Sequence, residues 1–261
     1  MVEDTFVSLL RNAYLNEPCR VLPNALWKTL VRLNKLECFA QVADKNDYTL
    51  QGWDKDDSHI YWNAKRYTTE TDMARIEQSN FAILHNDFFQ QLHKKNFKNI
   101  KPYFRLQYNS STVHTYILDS RFCISTVDID SELPQVSELI GKCYKNIKPT
   151  IDTVKQWTVS EVFHHDLWIW IIDKASGIPA ALGIAELDSN IGEGSLEWIQ
   201  VLPEYQGKGL GKVLVKELLN RLHSKSTFVT VSGEADNASN PERLYRSCGF
   251  HGNDVWWLLR K

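Results

Sequence analysis

Glycine is almost missing from the first half of this chain: Gly52 is the only one before Gly141, and the other eleven of the twelve follow from there. Left-handed turns and close backbone approaches draw on glycine, so the two halves are expected to differ in construction. The five cysteines, Cys19, Cys38, Cys123, Cys143 and Cys248, are odd in number, widely spaced and without a CxxC pair. That pattern supports neither a disulfide framework nor a zinc site; no metal is expected, and a reducing cytoplasm fits. Long hydrophobic runs are absent too. Leu167 to Ile172 is among the longest, far below the roughly 20 apolar residues of a spanning helix. The opening MVEDTFVSLL has acids where a signal peptide has bases. With a net charge of −2 and no Lys/Arg block, a nucleic-acid partner is not expected, nor is a membrane. The hydrophobic content of 43% is ample for a buried core.

What is present is concentrated in one stretch, Leu196 to Leu219, LEWIQVLPEYQGKGLGKVLVKELL. Apolar, β-prone residues run into Pro203, which has no N–H for a ladder and marks where pairing breaks. Gln206-Gly207-Lys208-Gly209-Leu210-Gly211 follows. Leu210, Val213, Leu214, Leu218 and Leu222 then recur at helical spacing with Lys212, Lys216, Asn220 and His223 opposite, which predicts an amphipathic helix starting inside the glycines. The first N–H groups of such a helix lack internal partners, and its dipole favours an anion there by roughly 0.3 to 1 kcal/mol. Glycine lets a phosphate come close. Lys208 and Lys212 either add charge to that site or are ordinary solvated lysines. Neither GxxxxGK[ST] nor GxGxxG is met by glycines at 207, 209 and 211.

The pattern that is met is QxxGxG, carried by Gln206, Gly209 and Gly211, and it resembles the pyrophosphate-binding motif of the GNAT superfamily of acetyl-CoA-dependent N-acetyltransferases. A second stretch, Asn240-Pro241-Glu242-Arg243-Leu244-Tyr245-Arg246-Ser247-Cys248-Gly249-Phe250, resembles that family's helix ending in LYxxxGF. The order of elements after Ser120 is similar to the family plan. A strand is expected over Phe122 to Val127 and paired helices over Pro134 to Cys143 and Ile151 to Trp157. Strands follow over Asp166 to Asp173, Ala180 to Leu187 and Leu196 to Leu202. After the long helix comes a strand over Phe228 to Val231, then a short helix with Asn240 as N-cap, Pro241 first and Gly249 at its stop. Phe250 to Leu259 supplies closing strand structure. The resemblance implies an α/β protein with a mixed sheet, a GNAT fold over 121–261 and a smaller accessory α/β domain over 1–120. In that first region, helices are expected over Phe6 to Leu15 and Ala25 to Leu36, and strands over Cys38 to Val42 and Phe81 to His85. The stretches around Tyr14 to Lys28 and Pro102 to Leu106 are similar to N-terminal regions of two-part bacterial GNAT proteins. Trp53, Tyr61 and Trp62 either line a substrate surface or are core and surface aromatics.

The resemblance implies transfer of an acetyl group from acetyl-CoA directly to a primary amine of a small molecule or peptide. A bulge near Val201, with Pro203, would splay the central strand from the strand at Phe228 so that the pantetheine arm inserts there and bonds main-chain groups as a strand does. Ile199 and Val201 would set N–H groups against the thioester carbonyl, a contribution of roughly 3 kcal/mol per donor. Leu202, Gln206, Gly207, Lys208, Gly209, Leu210, Gly211, Lys212 and Asn240 would complete the cofactor site. Tyr245 would approach the CoA sulfur and protonate the leaving thiolate. An amine with a pKa near 10 needs a base at neutral pH. Glu197 is first choice, on the expectation that it shares strand parity with Ile199 and Val201; Glu186 is second, and His164 and His165 precede a strand. Glu186, Asp188, Glu193 and Glu197 lie along one hairpin and would favour a cationic amine if they face the cleft. Two other readings stay open: a CoA-binding sensor or scaffold without catalysis, and transfer from a longer acyl-CoA.

Overall fold

The computed structural model describes residues 2–44, 47–54, 58–60, 70–92, 96–109, 112–144 and 146–261. The chain divides into two compact units. The first is Met1–Gln107 with Thr230–Glu242 and His251–Lys261; the second is Tyr108–Val229 with Arg243–Phe250.

The first unit begins with helices α1 (Val2–Asn16), α2 (Pro18–Val21) and α3 (Leu26–Leu30). The helix expected over Ala25 to Leu36 is thus cut short: a 3-10 turn over Leu33–Lys35 leads straight into strand β1 (Leu36–Asp44). β1 pairs antiparallel with β2 (Asp47–Asp54) as a separate hairpin. Strand β3 (Ser58–Ile60), helix α4 (Glu70–Gln78), strand β4 (Phe81–His85), helix α5 (Asn86–Phe89) and strand β5 (Asn99–Asn109) follow. Trp53 is core: it packs with Ile76, Leu84, Phe88, Phe89 and Leu259, and the Arg75 guanidinium lies 3.8 Å from its ring centre. Tyr61 and Trp62 lie outside the described residues.

In the second unit β6 (Phe122–Thr126), helices α6 (Leu133–Cys143) and α7 (Ile151–Trp157), and strands β7 (Trp168–Asp173), β8 (Ile178–Asp188) and β9 (Glu193–Val201) match the expected order. β6, β7, β8 and β9 pair antiparallel in sequence order. Asp166 is in a 3-10 turn, His165–Leu167, before β7. Pro179, which has no N–H to give, stands where the β7–β8 register shifts. Helix α8 (Leu210–Leu222) buries Leu210, Val213, Leu214, Leu218 and Leu222, the expected stripe, together with Val215 and Leu219. Its polar side is more than a solvated face. Asn220 accepts the His114 amide at 2.6 Å and donates to the His114 carbonyl at 2.9 Å, Lys216 donates to the Thr115 carbonyl at 2.9 Å, and Tyr116 donates to Glu217 at 2.6 Å.

Strand β10 (Phe228–Glu234) starts in the second unit and ends in the first, and helix α9 (Pro241–Arg246) passes the other way. The last strand, β11 (His251–Arg260), lies between β4 and β5 and pairs antiparallel with both. Its tryptophans explain the position. Trp256 is buried and donates to the Cys19 carbonyl at 2.8 Å, and Trp257 stacks on Phe89 with ring centres 3.9 Å apart.

Candidate active site

The site is built where β9 ends. Leu202 donates its last ladder bond to the Ala180 carbonyl at 3.0 Å, and Pro203–Tyr205 then turns the chain as one 3-10 turn. The Gln206 side chain donates back to the Val201 carbonyl at 3.2 Å, so it braces the turn against the strand end. Gly207 and Gly209 both have φ +77, and a Cβ at either would meet nothing within 4 Å. Side chains rarely adopt that conformation, and the backbone here borders open space. Gly209 is the N-cap of α8 and supplies no side chain to cap it; the first helical bonds run from Lys212 and Val213 to its carbonyl, at 3.1 and 3.2 Å. The amides of Lys208, Gly209, Leu210 and Gly211 donate to no main-chain carbonyl among the described residues. Such a run of amides at the start of a thirteen-residue helix suits a phosphate. Lys208 and Lys212 are exposed beside it. Leu210 is buried, and a Cβ at Gly211 would lie 3.3 Å from Leu244 and 3.8 Å from Val201; both residues offer the site only backbone.

The turn is tied down from below. Tyr205, buried, donates to Asp173 Oδ2 at 3.0 Å; Arg121 pairs with the same carboxylate, and the Ala175 amide donates to Oδ1 at 3.2 Å. The Arg121 hydrogen bond is the largest of the effects that hold the Asp173 carboxyl well below the usual carboxylate range. Nothing in the sequence pairs Tyr205 with a strand end 32 residues earlier, and this anchor was missed there.

Tyr245 is placed by the end of α9. Gly249, at φ +98, lets the Phe250 amide donate to the Tyr245 carbonyl at 3.2 Å and the Gly249 amide to the Arg246 carbonyl at 3.1 Å. This pair of bonds is a Schellman stop, with Phe250 packed edge-on to Tyr245 at 5.7 Å as its hydrophobic contact. The expected glycine stop is therefore found. The tyrosine is 7% exposed. Burial, then the charges of Tyr144, Cys248 and Glu197, raise its phenol far above the ordinary value. Asn240 has φ +48, left-handed instead of the extended conformation of an N-cap, and belongs to the other compact unit.

In its pairing with β8, strand β9 carries a bulge at Glu197. Ile184 opposes Trp198 and Ala185 opposes Leu196, which leaves Glu197 as the extra residue. Strict alternation therefore does not carry through from Glu197 to Ile199 and Val201, and the parity argument for that side chain fails. Glu197 is half-buried, and its charge is the last of the causes that raise the Tyr245 phenol. The Val201 carbonyl accepts from both Gln206 and the Cys143 thiol, the latter at 3.6 Å. Burial, then the charge of Glu204, pushes that thiol up to about 11.

The hairpin carboxylates are largely committed elsewhere. Glu186 receives the Ser195 hydroxyl at 3.5 Å, Asp188 accepts the Asn190 amide at 3.0 Å, and Glu193 is buried. His164 and His165 sit beside Asp166, at 4.0 and 3.6 Å. Residues absent from the sequence-based list adjoin the site: Tyr144, which accepts from Gln200 at 2.9 Å, and Trp198, edge-on to Tyr144 at 6.0 Å and stacked on Trp157 at 5.4 Å. The described cysteines are all free, and among the described residues no group of three or more His, Cys, Asp or Glu could hold a metal ion. No described helix is long and apolar enough to cross a membrane.

Known proteins resemble this chain. A protein of Porphyra purpurea described as an uncharacterized N-acetyltransferase is 28% identical over 121 residues, 46% of this chain and 63% of that relative's length. A GCN5-related N-acetyltransferase from Sphaerobacter thermophilus superposes with a TM-score of 0.66 at 12% identity, covering 87% of this chain and 76% of its own. A GNAT-family acetyltransferase from Colwellia psychrerythraea gives 0.64 at 14% identity, covering 98% and 97%; at such identities the likeness is one of fold. Residues 165–252, which hold β7 through α9 with the glycine turn and Tyr245, match the family described as Acetyltransferase (GNAT) domain.

Proposed function

We propose that the chain is an N-acetyltransferase that moves acetyl from acetyl-CoA directly to a primary amine, with 121–261 as the transferase domain and 1–120 as an accessory domain. The observation that carries this reading is the glycine turn. Gly207 and Gly209 leave open space at φ +77, and the amides of Lys208, Gly209, Leu210 and Gly211 have no main-chain acceptor among the described residues, a cradle fit for a pyrophosphate. Lys208 and Lys212 add charge to it.

Acetyl-CoA supplies an acetyl thioester. The chain's contribution begins with removal of a proton from the acceptor, since only the free amine attacks. Glu197, in its bulge next to Tyr245, takes that proton directly or through a water. The nitrogen lone pair forms the C–N bond while the carbonyl π pair moves to oxygen, where main-chain N–H groups near Ile199 and Val201 stabilise it. The pair on oxygen then re-forms the carbonyl as the C–S bond breaks, the C–S electron pair leaves on sulfur, and Tyr245 donates a proton there; the second proton of the adduct nitrogen is lost to solvent, from which the phenol is reprotonated. Burial keeps that phenol protonated well past neutral pH, the state an acid requires. The thiol of Cys143 is also kept neutral, which favours direct transfer over an acyl-cysteine. A cytoplasmic location agrees with five free cysteines.

The test is acetylation of a panel of amines, with CoA binding measured separately by calorimetry. Turnover with binding supports the reading. Binding without turnover of any amine would replace it with a CoA-dependent sensor or scaffold, and turnover only with longer acyl-CoA would change the donor.

A further inference from the structure

Within the second unit, three aromatic side chains run away from the reacting groups in an unbroken row. Tyr144 is the near end. Trp198, which meets it, directly follows Glu197 in β9, and the charges of Tyr144 and Glu197 both act on Tyr245. From there Trp198 meets Tyr144 edge-on with ring centres 6.0 Å apart, and Trp157 stacks on Trp198 at 5.4 Å and 21°. All three are half-buried. Behind them Trp168, fully buried, lies 6.3 Å from Trp157 and is held edge-on by Phe163 at 5.7 Å. Gln200 fixes the Tyr144 hydroxyl at 2.9 Å. The row is therefore a rigid wall with part of its surface uncovered.

Two sorts of acceptor would suit an aromatic wall, and the chemistry separates them. A ring face attracts an ammonium, but the ammonium form cannot attack a thioester, so a wall that held the reacting nitrogen as a cation would oppose the reaction. A polycation would also need carboxylates, and Glu186, Asp188 and Glu193 are hydrogen-bonded or buried within the hairpin. A flat apolar body carrying the amine has neither difficulty. Building on the acetyl-transfer reading, we propose that the acceptor is a small primary amine on a planar aromatic body, which packs on Tyr144, Trp198 and Trp157 while its amine reaches Glu197 and Tyr245.

The experiment uses the full chain, acetyl-CoA and five amines: 2-phenylethylamine, tryptamine, 2-cyclohexylethylamine, propylamine and spermidine. The expected kcat/KM for the two aromatic amines exceeds that for 2-cyclohexylethylamine by about three- to tenfold, the range an aromatic pairing adds beyond burial, and exceeds propylamine and spermidine by more. In Trp198→Leu, which keeps an apolar side chain but no planar face, the aromatic-to-cyclohexyl ratio falls toward one; Trp198→Phe retains most of it. A CoA titration of each variant shows that it is folded. Equal or better use of 2-cyclohexylethylamine or spermidine by the parent, or an unchanged ratio in Trp198→Leu, overturns the inference and leaves acetyl transfer standing. Better use of a peptide beginning with phenylalanine would replace the small amine by a polypeptide terminus. Failure to acetylate any amine while acetyl-CoA binds removes the acetyl-transfer reading, and this one with it.

Discussion

Gly209→Ala isolates what the glycine turn does. The new Cβ meets no heavy atom within 4 Å, so the substitution makes no clash inside the protein. Its direct cost is the backbone: an alanine held at φ +77 loses roughly 1 to 2 kcal/mol. Gly177, in the β7–β8 turn, has φ +70 and equally open surroundings, so Gly177→Ala carries nearly the same strain away from the amides of α8. The two variants should therefore lose similar thermal stability without ligand. They should part on binding: Gly209→Ala fills the space into which the amides point, or turns those amides if the backbone relaxes, and CoA affinity measured by calorimetry should fall tenfold or more, about 1.4 kcal/mol. Gly177→Ala should stay within about twofold, roughly 0.4 kcal/mol. If Gly209→Ala loses no more affinity than Gly177→Ala, the turn does not cradle the phosphates. Gly211→Val would be a poorer probe, because its Cβ packs 3.3 Å from Leu244 and lost packing would mix with lost binding.

Tyr245→Phe removes a proton donor but little packing surface, so turnover should fall by about 10- to 10²-fold while CoA affinity hardly moves; unchanged turnover with chemistry rate-limiting makes Tyr245 structural. Glu197→Gln should lower turnover at neutral pH by about 10²-fold, and the deficit should shrink toward the amine pKa near 10, where free amine is already present. A pH–rate profile parallel to the parent's from about pH 6 to about pH 9.5 would rule out this base and turn attention to Glu186. Asp173 has a depressed pKa in the folded chain. Its contribution to stability is therefore fully present above the ordinary carboxylate value and is lost as pH falls through the folded one. Asp173→Asn should lower the melting temperature at neutral pH and flatten its decline in acid, and an acid limb as steep as the parent's would contradict the Arg121–Asp173–Tyr205 anchor.

The stripe of α8 was readable because a period of 3.6 with apolar side chains has one solution on a two-layer fold: Leu210, Val213, Leu214, Leu218 and Leu222 are all buried. The glycine turn was readable because φ +77 at positions 207 and 209 has few other residues to serve it. Other features had no local sign. A bulge is a property of two strands, and the choice of Glu197 as the extra residue depends on the pairing of Ile184 and Ala185 with β9. The helix expected over Ala25 to Leu36 ends at Leu30, and a 3-10 turn over Leu33–Lys35 leads into β1, a tertiary demand that propensity does not register. The pairing of β11 with β4 and β5 depends on partners more than 140 residues away, such as Trp256 opposite Tyr103. Likewise Tyr144, Trp157 and Trp198 are unremarked in sequence until α6, α7 and β9 bring them together.

The tyrosine and glycine of the second motif gain a physical connection from the structure. Tyr245 belongs to the last turn of a helix only six residues long, too short to hold a reacting group by its own hydrogen bonds. The Schellman stop supplies the missing restraint. Gly249 at φ +98 bends the chain so that Phe250 bonds the Tyr245 carbonyl and packs on its ring, and Tyr108 also packs on Phe250 with ring centres 5.7 Å apart. In LYxxxGF the glycine and phenylalanine are thus the parts that fix where the tyrosine points. The acid proposed for the thiolate and the helix stop are therefore one local structure, because the phenylalanine that follows the stop glycine both bonds the Tyr245 carbonyl and packs on its ring.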